Sequence, residues 1–450
     1  MYARAPLARR RRASEASRPR HHAFSASRPF GRAFSASRPF GRAFSASRPF
    51  GRAFSASRPF GRASSASRPL GRAFGAPRPR RRSLAALGAL LAVLLVAGCA
   101  DLGQEPVWQP GAGGGATGGP VESTPPEVKT ISLSATGDIV MGNAPNRLPP
   151  NGGKGFFDSV KKAISADVAM GNLEEPLTVD TGTGKCGADS TRCFQFRAPP
   201  EYAAHLADAG FDLLNQANNH GYDFGPKGYE NTQKALEEHD LAHTGAPDQI
   251  TVVEADGVKV AVAGFSSYRW SNSLIDIPSA KKVIEKAATM ADIVVVQVHM
   301  GAEGSEMTRT RPGTEMFLGE NRGDPIKFSR AMIDSGADLI VGHGPHVLRG
   351  MEFYKGRLIA YSLGNFAGGG NMLSNNGRLG WGGVLKVTLE PDGTWSGGSF
   401  VSTYMNGIGK PTMDPDDRGL GLLRDLTKLD FPETGARFTK AGKISPPDEG

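Results

Sequence analysis

The sequence predicts an α/β layered domain with mixed sheets over residues 128–412. Three observations carry this. Short continuous apolar runs alternate with amphipathic stretches of helical period, the pattern of strands covered on both faces by helices. Turn pairs at Asp256-Gly257 and Lys355-Gly356 join neighbouring apolar runs as hairpins, which adds antiparallel strands to the alternating order. Polar residues recur where the predicted strands end, and open α/β sheets place their ligand sites there.

The elements follow in chain order. Ile131–Thr136 reads as a strand that stops at Gly137-Asp138. Phe156–Ile164 reads as a helix, and Asp167–Met170 as a short strand leading into Gly171-Asn172-Leu173-Glu174. Pro200–Ala209 has helical apolar spacing at Tyr202, Leu206 and Ala209. Phe211–Gln216 is a strand running into Ala217-Asn218-Asn219-His220, and Pro226–His239 is a helix with Pro at its start. Ile250–Glu254 and Val258–Phe265 form the first hairpin, and Ser279–Met290 is a helix. Asp292–Val298 is a continuous apolar strand ending at His299, and Asp324-Pro325 starts a helix that runs to Ser335. Asp338–Val341 leads into Gly342-His343-Gly344-Pro345-His346. Met351–Tyr354 and Arg357–Ser362 form the second hairpin, and Val384–Leu389 and Ser399–Tyr404 are late antiparallel strands. Residues 413–450 turn polar and read as a C-terminal tail with a short apolar patch at Leu420–Leu423 and Leu426.

A formal net charge of +9 would suit a nucleic-acid binder, but its distribution excludes one. Residues 1–82 hold 21 arginines, no lysine and one acid, Glu15, a net +20, which leaves −11 for residues 83–450. The part long enough to fold is acidic and lacks the basic stripe that nucleic acid needs. Five copies of a ten-residue unit, AFSASRPFGR and one variant, begin at Ala23, Ala33, Ala43, Ala53 and Ala63. Each has too little bulky apolar surface to offset its ordering entropy, so residues 1–77 are expected to be disordered.

Residues 78–99 read as an export signal. Arg78, Arg80, Arg81 and Arg82 precede the apolar run Leu84–Val96, which is too short for a membrane span. Val96-Ala97-Gly98-Cys99 resembles the lipobox of bacterial lipoproteins, which implies cleavage before Cys99 and diacylation of its sulfur. The signal lies abnormally far from Met1, so translation is expected to begin nearer Arg80. Residues 100–127 are Gly/Pro-rich and read as a flexible tether. In an exported chain, Cys186 and Cys193 are expected to form a local disulfide that contributes roughly 2–3 kcal/mol at most.

Asp138, Asn172, Glu174, Asn219, His220, His299, His343 and His346 all fall at strand ends. Carboxylate, amide oxygen and imidazole together suit a borderline divalent ion such as Zn²⁺, Mn²⁺ or Fe²⁺. Bland readings stand beside each. Asp138 serves equally as a helix cap, Asn219 as a turn residue and Glu174 as a solvent carboxylate with Asn172 its rival. Gly364-Asn365-Phe366 serves equally as a structural turn.

Five segments, in this order, carry a resemblance: GDIVMG (137–142), GNLEEPLT (171–178), ANNHGYDFG (217–225), VHMGAEG (298–304) and GADLIVGHGPHVLRGMEFYKGRLIAYSLGNF (336–366). They resemble the motif set of the capsule-synthesis CapA (poly-γ-glutamate) family, which belongs with the calcineurin-like metallophosphatases. The resemblance covers about residues 130–405. It implies a four-layer α-β-β-α metallophosphatase-like sandwich with mixed sheets. It implies that Asp138, Glu174, Asn219, His299, His343 and His346 hold one or two divalent ions (Mn, Zn or Fe), with Glu174 nearest the bridging position. His220 would stabilise or protonate the leaving group and Asp223 would orient its ring. Asn172, Glu303 and Asn365 would lie close to the substrate.

The resemblance also implies partners: an anionic envelope polymer such as poly-γ-glutamate, the outer face of the cytoplasmic membrane through the lipid anchor, and membrane synthase subunits. Two roles stay open, a metal-dependent hydrolase or transferase and a non-catalytic polymer-binding accessory subunit of a membrane synthase complex. The chain departs from the family pattern at Met300, where Trp is usual, at Gly304, where an aromatic is usual, and at Gly344, where His is common. These positions are expected to line the substrate groove. The metallophosphatase Asp-x-His motif is reduced as well, since Ile139 and Val140 follow Asp138. One ligand is missing, which points to a single ion or a weakly held second one.

Overall fold

The computed structural model describes residues 129–187, 190 and 193–448. The arginine-rich repeats, the export signal with Cys99 and the tether lie outside the described residues. Two mixed sheets face each other. The first runs, in spatial order, through residues 437–438, 443–445, 395–405, 381–389, 131–140, 168–173, 213–215 and 242–244, with 365–368 added beside 131–140 and 411–413 beside 395–405. The second runs through 348–354, 357–363, 339–343, 293–299, 258–266 and 251–255, with 272–273 beside 258–266. In each, a parallel centre is bordered by antiparallel strands.

Alternation of side chains along each strand builds the four layers. Along Ile293–His299, Ile293 and Val295 enter the core between the sheets, and Val294, Val296 and Val298 enter a second core under the helices Ile277–Ala288 and Pro325–Ile333. Along Ile131–Val140, Ile131, Leu133 and Ala135 face the inter-sheet core. On the other face of that sheet, Ala169 and Leu214 pack with Ile164, Leu206 and Leu236 of the outer helices. The architecture is the α-β-β-α sandwich with mixed sheets that the resemblance implies.

Pro325–Ile333 starts where Asp324-Pro325 predicts, and Ile277–Ala288 starts two residues before the expected Ser279. The Asp276 carboxylate accepts from Ser279 N and the Asp324 carboxylate from Lys327 N, each with Pro in the first turn. Phe156–Ile164 is shorter than expected, with only Lys161–Ile164 an α-helix after a series of turns.

The segment 413–450 is not a tail. Arg418–Asp430 is a helix whose Leu420 and Leu423 enter the inter-sheet core, and Lys443–Ser445 pairs with the strand Trp395–Met405. Gly419 and Gly421 weaken the helical signal in sequence. What the periodicity does not show is that Gly419 is required: a Cβ there would press on Ser402 Oγ and the carbonyl oxygen of Gly382. Asp414 ties this helix down. Its carboxylate accepts from Ser402 Oγ (2.9 Å), Gly419 N (3.2 Å) and Arg418 Nε (3.0 Å).

One irregularity decides the site. Pairing between Ile131–Val140 and Val168–Leu173 shifts register between Ala135 and Asp138. Before the shift, odd residues face the inter-sheet core; after it, Ile139 and Met141 face the helices. Asp138 is thereby turned inward. Gly137 sits at the shift with Gly364 against it: Asp138 N donates to Gly364 O (3.0 Å), and a Cβ on Gly137 would fall on that carbonyl oxygen.

Two outcomes follow for stability. Gly137→Ala forces the Gly364 turn away from the strand and is expected to cost roughly 1–3 kcal/mol, read by urea unfolding. Asp414→Ala removes buried acceptors and is expected to cost about 1–3 kcal/mol at pH 7. Burial opposes the charge of Asp414, but Gly419 N–H, Ser402 and Arg418 outweigh it and hold its carboxyl below the usual 3.8. Its contribution is therefore present above that pH and fades as pH falls through the lowered value. The gap between wild type and Asp414→Ala should close in unfolding curves measured toward pH 2; a constant gap would show that the charge is not involved.

Candidate metal centre

The inner faces of both sheets change from apolar to polar at their carboxyl ends. On the first sheet, Asp138, Asn172 and Asn215 stand side by side on neighbouring strands. Their side chains form a row: Asn215 Nδ2 donates to Asn172 Oδ1 (2.9 Å), and Asn172 Nδ2 donates to Asp138 Oδ1 (2.9 Å). On the second sheet, His299 and His343 occupy paired positions on neighbouring strands, two residues beyond Gln297 and Val341 on the same inner face. Asn365 pairs with Asp138 from the other side.

These rows meet. Asp138 lies 3.6 Å from His343 Nδ1 and 3.1 Å from His346 Nδ1. Glu174 Oε1 lies 3.1 Å from His299 Nε2 and 3.6 Å from His346 Nε2. His346 Nε2 is 3.7 Å from Glu303 Oε2, and Asn219 Nδ2 is 3.4 Å from Glu303 Oε1. Ligand atoms of Asp138, Glu174 and His299 all fall within 4.8 Å of one another, a spacing that could hold a metal ion. The six residues expected as ligands are thus brought into one cluster. Asn365 joins it through its Oδ1, 2.9 Å from His346 Nδ1. His346 itself sits at φ 60°, a left-handed conformation uncommon for a non-glycine residue, at the close of the Gly344-Pro345 turn.

Asn172 and Glu174 separate by geometry. The Asn172 carbonyl oxygen, the atom that could bind a cation, already accepts from Asn215 and Asn218 (3.1 Å). Asn172 therefore orients Asp138 and does not face a ligand. Glu174 Oε2 is buried with no partner. Neither Met300 nor Gly344 lines a groove, contrary to expectation. Met300 is fully buried in the core beneath the second sheet's helices. Gly344, at φ 113°, packs where a Cβ would meet the Met300 backbone and the His299 ring. Val140, where the missing motif histidine would stand, is fully buried with Phe196, Leu373 and Met405.

The cluster does not satisfy itself. Among the described residues, both ring nitrogens of His343, Nδ1 of His299, Oε2 of Glu174 and Oδ1 of Asn219 are buried without a hydrogen-bond partner. Burial lowers His299 to about 3 and His343 to about 4, so both rings are neutral at pH 7 and carry a lone pair. Burial pushes Asp138 up, but His346 and His343 outweigh it and bring it down to about 2. Glu174 is pushed up by burial to about 8. Burial opposes a charge on His346, yet Glu174, Asp138 and Glu303 hold it well above its usual value. The neutral rings of His299 and His343, the ionised Asp138 and the orphaned donor atoms beside them fit a divalent ion.

His220 and Asp223 border the cluster. His220 Nδ1 is 2.7 Å from Asp223 Oδ2, and the neighbouring Asn218 Oδ1 accepts from His220 N (3.0 Å). Cys186 and Cys193 are joined in a disulfide whose flanks reach this pair. The residues missed from sequence are Asn215, Lys185 and Arg322. Arg322 is buried against Glu303 (2.7 Å) and stacked by Tyr268 and Phe317. Asn215 carries a readable signal, an amide inside an apolar strand run where Asn is depleted. Lys185 and Arg322 lie in segments with no such mark. A cavity of about 640 Å³ lies at the opposite ends of the strands around Ser132, Asp167, Asp212 and Asp256 and is separate from this centre.

Metal content tests the assignment. Asp138→Ala and His343→Ala are expected to abolish bound Mn, Zn or Fe in elemental analysis, and Asn172→Ala to weaken affinity about 10–100-fold as an orienting residue. Full metal content in His343→Ala would remove it from the ligand set.

The family model described as bacterial capsule synthesis protein PGA_cap matches residues 132–369. The capsule biosynthesis protein CapA of Bacillus anthracis is 30% identical over 262 residues, covering 53% of this chain and 60% of that protein. The PGA biosynthesis protein CapA of Bacillus subtilis (strain 168) is 32% identical over 265 residues, covering 54% and 65%. The chain therefore spans less than two thirds of the length of these relatives. Among solved structures, a 5'-nucleotidase precursor from Thermus thermophilus is similar at TM-score 0.35 and 14% identity, covering 68% of this chain and 60% of that one. With a family model matched over more than half of its length, the chain belongs to the bacterial capsule synthesis proteins of the PGA_cap family.

Proposed function

We propose that this protein is an exported, lipid-anchored, metal-dependent hydrolase or transferase acting on an anionic envelope polymer of the poly-γ-glutamate kind, at the outer face of the cytoplasmic membrane. One observation carries the catalytic part: a buried Asp/Glu/His cluster with unpartnered donor atoms lies beside a histidine already oriented by a carboxylate. Asp138, Glu174, Asn219, His299, His343 and His346 would hold the ion. When bound, it supplies Lewis acidity toward a phosphoryl or carbonyl oxygen. His220 does the proton work. Its Nδ1 donates to Asp223, so Nε2 is the nitrogen that faces the reaction: the doubly protonated ring would give its Nε2 proton to the departing oxygen or nitrogen and return to the neutral form with its proton on Nδ1. The Cys186–Cys193 disulfide suits an oxidising compartment outside the cytoplasm, and Cys99 supplies the anchor. Among the described residues, no helix is long and apolar enough to cross a membrane.

The test uses the purified protein with its metal content measured, assayed on phosphodiester and γ-glutamyl substrates. His220→Ala is expected to keep the metal and to lower turnover about 10²–10⁴-fold, with polymer processing lost in cells. A folded, metal-loaded protein that turns over neither class, or polymer production unchanged in His220→Ala, overturns catalysis. Either result assigns the chain instead as an accessory subunit that binds polymer and a membrane synthase complex.

A further inference from the structure

Lys185 and Phe196, on either side of the Cys186–Cys193 disulfide, both contact the His220–Asp223 pair. At the entry, Lys185 Nζ lies 2.6 Å from Asp223 Oδ1 and donates to the carbonyl oxygen of Asn219 at 3.1 Å. The Lys185 backbone N–H donates to Asp223 O (2.8 Å). At the exit, Phe196 N donates to Asp223 Oδ2 (2.7 Å), and the Phe196 ring stacks on the His220 imidazole with centroids 4.3 Å apart. The Cys186–Cys193 disulfide joins entry to exit, and Cys186 N donates to Gln195 Oε1 (3.1 Å).

The Asp223 side chain is fully buried. A buried carboxylate is stable only when its charge is paired and its lone pairs are used. Lys185 pairs the charge at Oδ1, and Oδ2 is shared by Phe196 N–H and His220 Nδ1. Lys185 Nζ also lies 3.3 Å from Nδ1, but Asp223 Oδ2 is nearer to Nδ1 at 2.7 Å and is the charged acceptor for its proton. Asp223 therefore accepts, and Nδ1 donates, which leaves Nε2 as the nitrogen toward the cluster.

We propose that Lys185 is a positioning residue for His220: held in place by the Cys186–Cys193 loop, it neutralises and orients Asp223 so that the imidazole keeps its proton on Nδ1 and presents Nε2. This rests on the reading that His220 exchanges a proton with the leaving group. It gives the disulfide a task beyond stability, because the bridge fixes the two contacts that hold Asp223.

The test uses the full chain, metal-loaded, as wild type, Lys185→Met, Lys185→Arg and the double variant Cys186→Ser/Cys193→Ser. Three quantities are read: bound metal, the His220 tautomer by ¹⁵N NMR of labelled histidine, and kcat and KM. Lys185→Met should keep its metal, lose the Nδ1–H preference of His220, and drop kcat about 10–100-fold with KM within about twofold. Lys185→Arg should restore most of both signals, and the double variant should fall between. An unchanged His220 tautomer in Lys185→Met overturns the proposal. A loss expressed in KM overturns it too, since Lys185 would then meet the substrate. If wild type shows no turnover, the catalytic reading fails, and the tautomer spectrum alone still decides the clamp.

Discussion

The site depends on a single register shift. A strand of strict alternation from Ile131 would send Ala135 and Gly137 inward and Asp138 toward the helices. Slipping one position between Ala135 and Asp138 reverses the faces, so the carboxylate enters the space between the sheets while Ile139 remains apolar and outward. The slip is held from outside the strand. Gly364 contributes a carbonyl to Asp138 N and passes so close to Gly137 that only glycine fits. Two motifs more than two hundred residues apart therefore share one backbone contact, and Asn365 arrives beside Asp138 as its consequence.

Contrast with a second buried polar group sharpens the reading of the centre. Glu352 is also fully buried, and it is fully served: Arg330 donates to both its oxygens (3.1 and 2.7 Å), Tyr361 OH to one (2.6 Å) and Thr434 Oγ1 to the other (2.8 Å). Such a network ties the second sheet to its helix and asks for nothing more. Around Asp138 the apportionment differs. Asn215 and Asn172 form a chain of amides that ends on one carboxylate oxygen, whereas His343 has both nitrogens idle and Glu174 one oxygen idle. Unserved buried donor atoms cost about 1–3 kcal/mol each when nothing meets them. Their concentration at one end of the sandwich marks a place built for a guest.

Much of this was legible in the sequence. Apolar runs located the strands, and the residues ending them (Asp138, Glu174, Asn219, His299, His343, His346) meet in one cluster. Facing was not legible. Nothing in Ala135-Thr136-Gly137-Asp138 announces a bulge, and the groove position expected for Met300 from its departure from the family pattern fails because the residue after His299 turns into the apolar core. The C-terminal helix was hidden by its glycines, one of which is needed for close packing on Ser402 and Gly382. Lys185 was hidden because its partner Asp223 lies far along the chain and its own loop has no period. Contacts made by irregular segments carry no repeating signal for a sequence to show.

On the proposed function an acidic domain would face an anionic polymer, an apparent conflict that distance resolves. The net −7 of residues 129–450 is spread over a surface where charges more than about 8 Å apart are screened at physiological salt. What an approaching anion meets is local. Beside the cluster stand Lys185 against Asp223 and Arg322 against Glu303, two ion pairs that cancel. Inside, His346, held in its charged form, lies between Asp138 and Glu174, while His299 and His343 stay neutral. A divalent cation would add positive charge to that interior. Attraction for an anionic group would then come from the ion and act over a few ångströms at the strand ends. Recognition of the polymer on the proposed reading is a property of the loaded centre and not of the domain's surface charge.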